Sequence, residues 1–146
     1  MSSSVRTRED LDRYIVAFNT NDYDTYASFY SPYVEMNLGA TVVKGKDEII
    51  KWFKEARKRI LEYLEVEHVF IGEKAVALTA DITFTALVDF DEPFYDVGPP
   101  VQKGGGYKAP FVIFYDLDEQ GRMKTLNAGR IKPAVVNDSV SNMSEE

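Results

Sequence analysis

An α+β fold is predicted for this chain, a cone-shaped α+β barrel in which three N-terminal helices pack on a curved antiparallel sheet. Two observations predict it. Apolar residues recur at helical spacing over residues 11–18 and 49–64, and they alternate at the strand period of two over residues 34–38 and 76–86. The segment order is also telling, because it runs helix, helix, strand, long helix and then strands to the end. A sheet wrapped around the long helix leaves a conical cavity between the layers, a favoured place for a ligand.

Residues 1–6 read as a loose end ahead of a single domain over 7–133. Thr7 with Asp10 three residues later resembles a capping box, and Leu11, Tyr14, Ile15 and Phe18 form the apolar stripe of the helix it starts. Asn19-Thr20-Asn21-Asp22 stops that helix and starts a short second one, with Tyr26, Phe29 and Tyr30 on one face. Ser31-Pro32 ends it, because the residue before a proline is pushed out of helical geometry. A strand follows in which Glu35 and Asn37 alternate with Val34, Met36 and Leu38. Gly39 breaks it, Val42-Val43 adds a short segment, and Gly45 turns the chain into the long helix.

From Lys46, the residues Ile49, Phe53, Ala56, Ile60 and Leu64 keep helical spacing, which predicts about five turns. Asp47 and Glu48 at its start and Lys54, Arg57, Lys58 and Arg59 later suit the helix dipole. Strands are predicted over 65–71 and 75–90, joined by a turn at Gly72-Glu73-Lys74. The longer strand carries Val76, Leu78, Ala80, Ile82, Phe84 and Ala86 on one face and Ala77, Thr79, Asp81, Thr83 and Thr85 on the other. Prolines and glycines make residues 91–106 a long loop, either a lid or a subunit contact. A hairpin over 107–117 and 123–131 turns at Asp118-Glu119-Gln120-Gly121, and residues 134–146 read as a tail.

Composition narrows the partners. A formal charge of −7 argues against nucleic acid or an anionic membrane as the main partner. With no cysteine there is no disulfide, thiolate nucleophile or thiolate zinc ligand. No stretch approaches the roughly 18 apolar residues of a membrane helix, and a cytoplasmic protein is expected. The 13% aromatic content is enough to line an apolar cavity or simply to fill a core.

The stretches RYIVAFNTNDYDTYASFY (residues 13–30) and VVKGKDEIIKWF (residues 42–53) resemble two parts of the nuclear transport factor 2-like superfamily. These are its first two helices and the Gly-basic-Asp lead into its third. The superfamily includes the SnoaL-like polyketide cyclases, ketosteroid isomerase and limonene epoxide hydrolase. The resemblance speaks to the fold far more than to the reaction, since this fold hosts many functions. Tyr14 matches the tyrosine that donates to the substrate oxyanion in the bacterial steroid isomerases. Their catalytic Asp falls near Asn37, which cannot act as a base, and their second, protonated Asp falls at Val112. One group of three survives, so that reaction is rejected. For the epoxide hydrolase, Asn37 matches a water-holding residue and Glu35 stands where its tyrosine would be. Its Asp-Arg-Asp set falls on Ala80, Ile82 and Ala128, so hydrolysis by that set is rejected too.

By the same registration the cavity wall takes Phe18, Trp52, Phe53 and Ala56 from the helices. From the sheet it takes the Val76–Phe84 row, Pro110, Val112, Phe114, Leu126 and Ala128. Tyr14, Glu35, Asn37 and Arg130 are the polar groups expected inside, with Lys108 near the mouth. Buried charges are costly unless paired or used. The expected roles are therefore Glu35 moving the proton, Arg130 and Tyr14 stabilising an oxyanion, and Asn37 orienting the substrate. Phe18, Trp52, Phe53, Leu78, Ile82, Phe84, Lys108, Val112, Phe114 and Leu126 would bind it. Each has a plainer alternative: a Glu35–Arg130 ion pair, a core Tyr14, a turn-stabilising Asn37. Asp81 suits a surface or subunit contact, and His68 lacks a histidine-type catalytic partner. Asp116, Asp118 and Glu119 suit a turn, and Gly104-Gly105-Gly106 lacks the lysine of a phosphate loop.

The resemblance implies a cofactor-independent, metal-free isomerase or cyclase, or a dehydratase-type lyase. Its substrate would be an apolar oxygenated metabolite such as a polyketide or terpenoid intermediate. The alternative is a non-catalytic binding or homodimerisation module, and a transport-factor-like adaptor is a weaker third. Family members commonly dimerise through the outer sheet face, which here carries Thr79, Thr83 and Thr85.

Overall fold

The structure, a computed structural model, describes residues 3–91 and 100–137. Its elements are α1 (Arg8–Asn19), α2 (Tyr23–Ala27), β1 (Tyr30–Asn37), β2 (Val42–Lys44), α3 (Lys46–Ala56), β3 (Ile60–Ile71), β4 (Ala75–Ala86), β5 (Gly106–Asp116), β6 (Met123–Arg130) and β7 (Val135–Asn137). Residues 92–99 of the expected loop and the tail beyond 137 lie outside the described residues.

The sheet runs β2-β1-β6-β5-β4-β3, with β7 pairing the start of β5. It is mixed rather than wholly antiparallel, because β1 and β6 run parallel. The sheet is open, with β2 and β3 at its ends. The three helices pack on it, α1 over β3 and α3 over β1 and β2. This is the cone-shaped α+β fold expected, without closure into a full barrel.

The caps form as the residue types require. The Thr7 side chain accepts from the Asp10 N–H at 3.2 Å, and the Asp10 carboxylate accepts from the Thr7 N–H at 3.0 Å. Leu11, Tyr14, Ile15 and Phe18 then turn inward, together with Ala17. The expected loose N-terminus is partly tied down. Val5 is fully buried, and its N–H donates to the Gly121 carbonyl at 2.8 Å. The expected tail likewise starts with β7, which completes the hydrogen bonding of β5.

Several element boundaries and one strand face differ from expectation, for physical reasons. Helix α2 stops at Ala27, and Tyr30 opens β1 instead of closing a helix. Pro32 sits where the β1–β6 register shifts, at a position that lacks an N–H to give to a ladder. Helix α3 has 11 residues rather than about five turns. After Ala56 the backbone bonds shorten to three-residue turns, Lys58 to Glu55 and Arg59 to Ala56, and the chain enters β3. The sequence ILEYLEVEHVFI is rich in β-branched and aromatic residues, which favour strand. Finally, the face of β5 turned inward carries Tyr107, Ala109, Phe111, Ile113 and Tyr115. Pro110, Val112 and Phe114, expected inside, lie on the opposite face.

Candidate functional site

A cavity of about 280 Å³ lies between the helices and the concave side of the sheet. Its walls are Phe18 and Phe53 from the helices and Leu64, Ile82, Phe84, Phe111, Ile113, Leu126 and Ala128 from the strands. Leu38, Gly39, Gly129 and Arg130 also line it, and the last three are exposed, which marks the mouth. Tyr14, Tyr115 and Glu62 line it as well, with little exposed side-chain surface.

Glu62 is the group the sequence reading missed. Strand β3 pairs Glu62 with Phe84 and Leu64 with Ile82, so the carboxyl shares the cavity face with apolar neighbours. Two hydrogen bonds fix this stretch: the Asn19 amide donates to the Leu64 carbonyl at 2.9 Å and accepts the Leu64 N–H at 2.8 Å. Arg57, just past the end of α3, donates to Glu62 Oε2 at 2.9 Å. The two side chains are only 7% and 10% exposed. Burial raises the Glu62 pKa above its ordinary 4.5, and the Arg57 charge and hydrogen bond offset only part of that rise. Such a carboxyl is a stronger base when ionised than an exposed one, and it can also carry a proton.

Tyr14 is almost fully buried at the centre of an aromatic cluster. Phe29, Tyr30 and Tyr115 stand edge-on to it with ring centroids 5.6–5.9 Å away. Its hydroxyl is 2.7 Å from that of Tyr30. Burial holds the Tyr14, Tyr30 and Tyr115 hydroxyls well above the usual tyrosine range, so all three stay protonated. Tyr14 and Tyr115 face the cavity, whereas Tyr30 lies behind Tyr14. Two protonated tyrosines and one carboxyl thus line the same apolar pocket.

The expected site residues divide. Tyr14, Phe18, Phe53, Ile82, Phe84, Leu126 and Arg130 line the cavity. Glu35 does not, because Val34 and Met36 take the buried face of β1 and leave Glu35 on the other side. It therefore cannot converge with Arg130 inside the pocket. Asn37 is exposed, and its side chain accepts from the Gly39 N–H at 3.0 Å, an Asx-type turn contact. Trp52 packs edge-on against Phe53 outside the cavity lining, and Leu78 is core below it. Lys108 lies on the outer face, 3.6 Å from Glu65. Val112 and Phe114 are 44% and 41% exposed on that same face. Asp118 accepts from the Gln120 and Arg122 N–H groups and serves the hairpin turn, as its residue type suggested.

A family model of the SnoaL-like domain matches residues 11–125. No curated protein matches the chain in sequence. Solved structures of similar shape include a protein from Silicibacter sp. TM1040 assigned as a polyketide cyclase, at 22% identity and a TM-score of 0.67. That match covers 82% of this chain and 85% of the other. SalBIII, an epoxide hydrolase/cyclase-like enzyme with a role in pyran ring formation in the polyether salinomycin, matches at 16% identity and a TM-score of 0.66. It covers 84% of this chain and 88% of its own. An LEH-like epoxide hydrolase of M. tuberculosis matches at 11% identity and a TM-score of 0.63, over 82% of this chain and 78% of the hydrolase. At these identities the structures speak to the fold alone. The family model covers most of the chain, and the chain is a member of the SnoaL-like domain family of the nuclear transport factor 2-like superfamily.

Proposed function

We propose that the chain is a cofactor-independent isomerase or cyclase, or a related lyase, working by acid–base chemistry on an apolar oxygenated small molecule. A polyketide or terpenoid intermediate fits that description. The observation that carries this reading is Glu62, a partly desolvated carboxyl in the wall of an apolar cavity that Tyr14 and Tyr115 also line. Ionised Glu62 takes a proton from the carbon next to a carbonyl. The carbonyl oxygen becomes an enolate oxygen that accepts a hydrogen bond from Tyr14 or Tyr115. Return of the proton from Glu62 to another carbon completes an isomerisation; attack of the enolate carbon on a second carbonyl, whose oxygen takes that proton, completes a ring closure; and departure of a β-leaving group that takes it completes an elimination. Each outcome conserves atoms and electrons without an external redox partner. Arg130, at the mouth, suits contact with polar substituents of the substrate.

The test is deuterium exchange. The protein is incubated in D2O with a panel of monocyclic and bicyclic ketones and β-diketones, and loss of the α-proton signal is followed by NMR. The reading expects protein-dependent exchange that Glu62→Gln removes. Exchange equal to that in Glu62→Gln across the panel contradicts it and favours a binding module.

We also propose a homodimer through the outer sheet face. Phe70, Val112 and Phe114 expose apolar surface there beside Thr79, and register aligns Phe70 with Ala77 and Phe114 across three strands.

A further inference from the structure

Arg57 has an arrangement that the acid–base reading does not by itself require. Its guanidinium lies 5.5 Å from the Phe18 ring centroid and 5.4 Å from that of Phe53, the two helix rings that wall the cavity. Arg57 itself is not part of that wall. Its Nε donates to the Asn21 side chain at 3.3 Å, and Nη2 donates to Glu62 Oε2. Nη1 is buried without a hydrogen-bond partner among the described residues. The cation is thus held behind the wall by two rings and a turn residue, with one donor aimed at the carboxyl.

The carboxyl responds asymmetrically. Oε2 takes the Arg57 hydrogen bond, whereas Oε1 takes none among the described residues. Glu62 lines the cavity, and Oε1 is its oxygen free of the Arg57 hydrogen bond. A buried ion pair adds little net stability over a well-packed apolar pair, so stability alone does not account for two charges here. The other groups around Glu62 are the hydroxyls of Tyr14, Tyr26, Tyr30 and Tyr115, all held protonated, with Arg130 at the far mouth.

We propose that Arg57 is a positioning residue: seated against Phe18 and Phe53, it fixes one oxygen of Glu62 and favours the ionised carboxyl, leaving the other oxygen to act as the base. This rests on the reading of Glu62 as the proton-moving group. The fork geometry and the permanent charge have separate consequences, so lysine and methionine separate them.

The experiment titrates the side-chain carboxyls of 13C-glutamate-labelled protein, with Glu62 identified by the resonance missing in Glu62→Gln. Arg57→Met is expected to raise the Glu62 midpoint by about one pH unit or more and to shift the pH profile of ketone exchange by the same amount. Arg57→Lys is expected to hold the midpoint close to wild type while lowering exchange about fivefold, since the charge stays and the fork is lost. An unchanged midpoint in Arg57→Met, or a wild-type exchange rate in Arg57→Lys, overturns the proposal. Should Arg57→Met fail to fold, the Arg57→Lys rate decides. If Glu62→Gln keeps wild-type exchange, the underlying reading falls instead, and the carboxyl titration still decides whether Arg57 controls Glu62.

Discussion

The hydroxyls of Tyr14 and Tyr30 are 2.7 Å apart, and of the two residues Tyr14 lines the cavity and Tyr30 does not. In the proposed reading Tyr30 is the partner that holds Tyr14, and Tyr14 is the group that meets a ligand. Tyr14→Phe should lower ketone exchange about 100-fold with the fold intact, the size expected for loss of one oxyanion donor. Tyr30→Phe should cost less in rate and about 1 kcal/mol in stability, since it removes one buried hydrogen bond. Steady-state exchange rates and urea unfolding of both variants check this. Equal rate losses would place Tyr30 in the site as well.

The Glu62 carboxyl gives a pH signature with a definite sign. Its pKa in the folded chain is raised above the ordinary 4.5, so folding favours its protonated form. Its contribution to stability is complete below about that ordinary value and is lost as pH rises through the folded value. The stability of wild type minus that of Glu62→Gln should fall across this window and level off above it. Urea unfolding at a series of pH values measures the difference. A difference that grows with pH means that Arg57 outweighs burial.

Two contacts hold the floor of the site. Asn19→Ala removes both hydrogen bonds to the Leu64 backbone, two residues from Glu62 on the same face, and should cost about 2 kcal/mol. Gly106→Ala should abolish folding, because a Cβ there would fall on the Phe84 carbonyl across the β4–β5 pair. Urea unfolding and circular dichroism check each. An Asn19→Ala variant as stable as wild type means that β3 is fixed by its ladder alone.

Part of the fold was legible because α1 and the start of α3 obey local rules. The Thr7 and Asp10 cap and the Leu11, Tyr14, Ile15 and Phe18 stripe predict α1 correctly. The site was less legible, for two reasons of periodicity. Ile60 and Leu64 continue the α3 stripe at spacing four, yet they also sit two residues either side of Glu62 on one strand face. A helix reading absorbs them and hides Glu62. The signal that finds it is the alternation of Ile60, Glu62 and Leu64 after the basic cluster at Arg57–Arg59. In β5 both faces carry apolar residues, so the pattern fits either register. A shift of one residue exchanges Val112 and Phe114 for Phe111 and Ile113. Parallel pairing of β1 with β6 joins distant segments and leaves no local trace.

The proposed dimer is tested on the outer face. Phe114→Glu with Val112→Lys should convert the wild-type dimer to monomer in light scattering, because each charge would be buried at an apolar contact. A wild-type chain that is monomeric at micromolar concentration contradicts the proposal.

The central claim is that Glu62, rather than Glu35, moves the proton. Its most direct measurement compares α-proton exchange of a single responsive ketone by Glu62→Gln and Glu35→Gln. The account predicts a loss of at least about 100-fold for Glu62→Gln, within the usual range for a general base, and a rate close to wild type for Glu35→Gln. A full rate in Glu62→Gln, or its loss in Glu35→Gln alone, would contradict it.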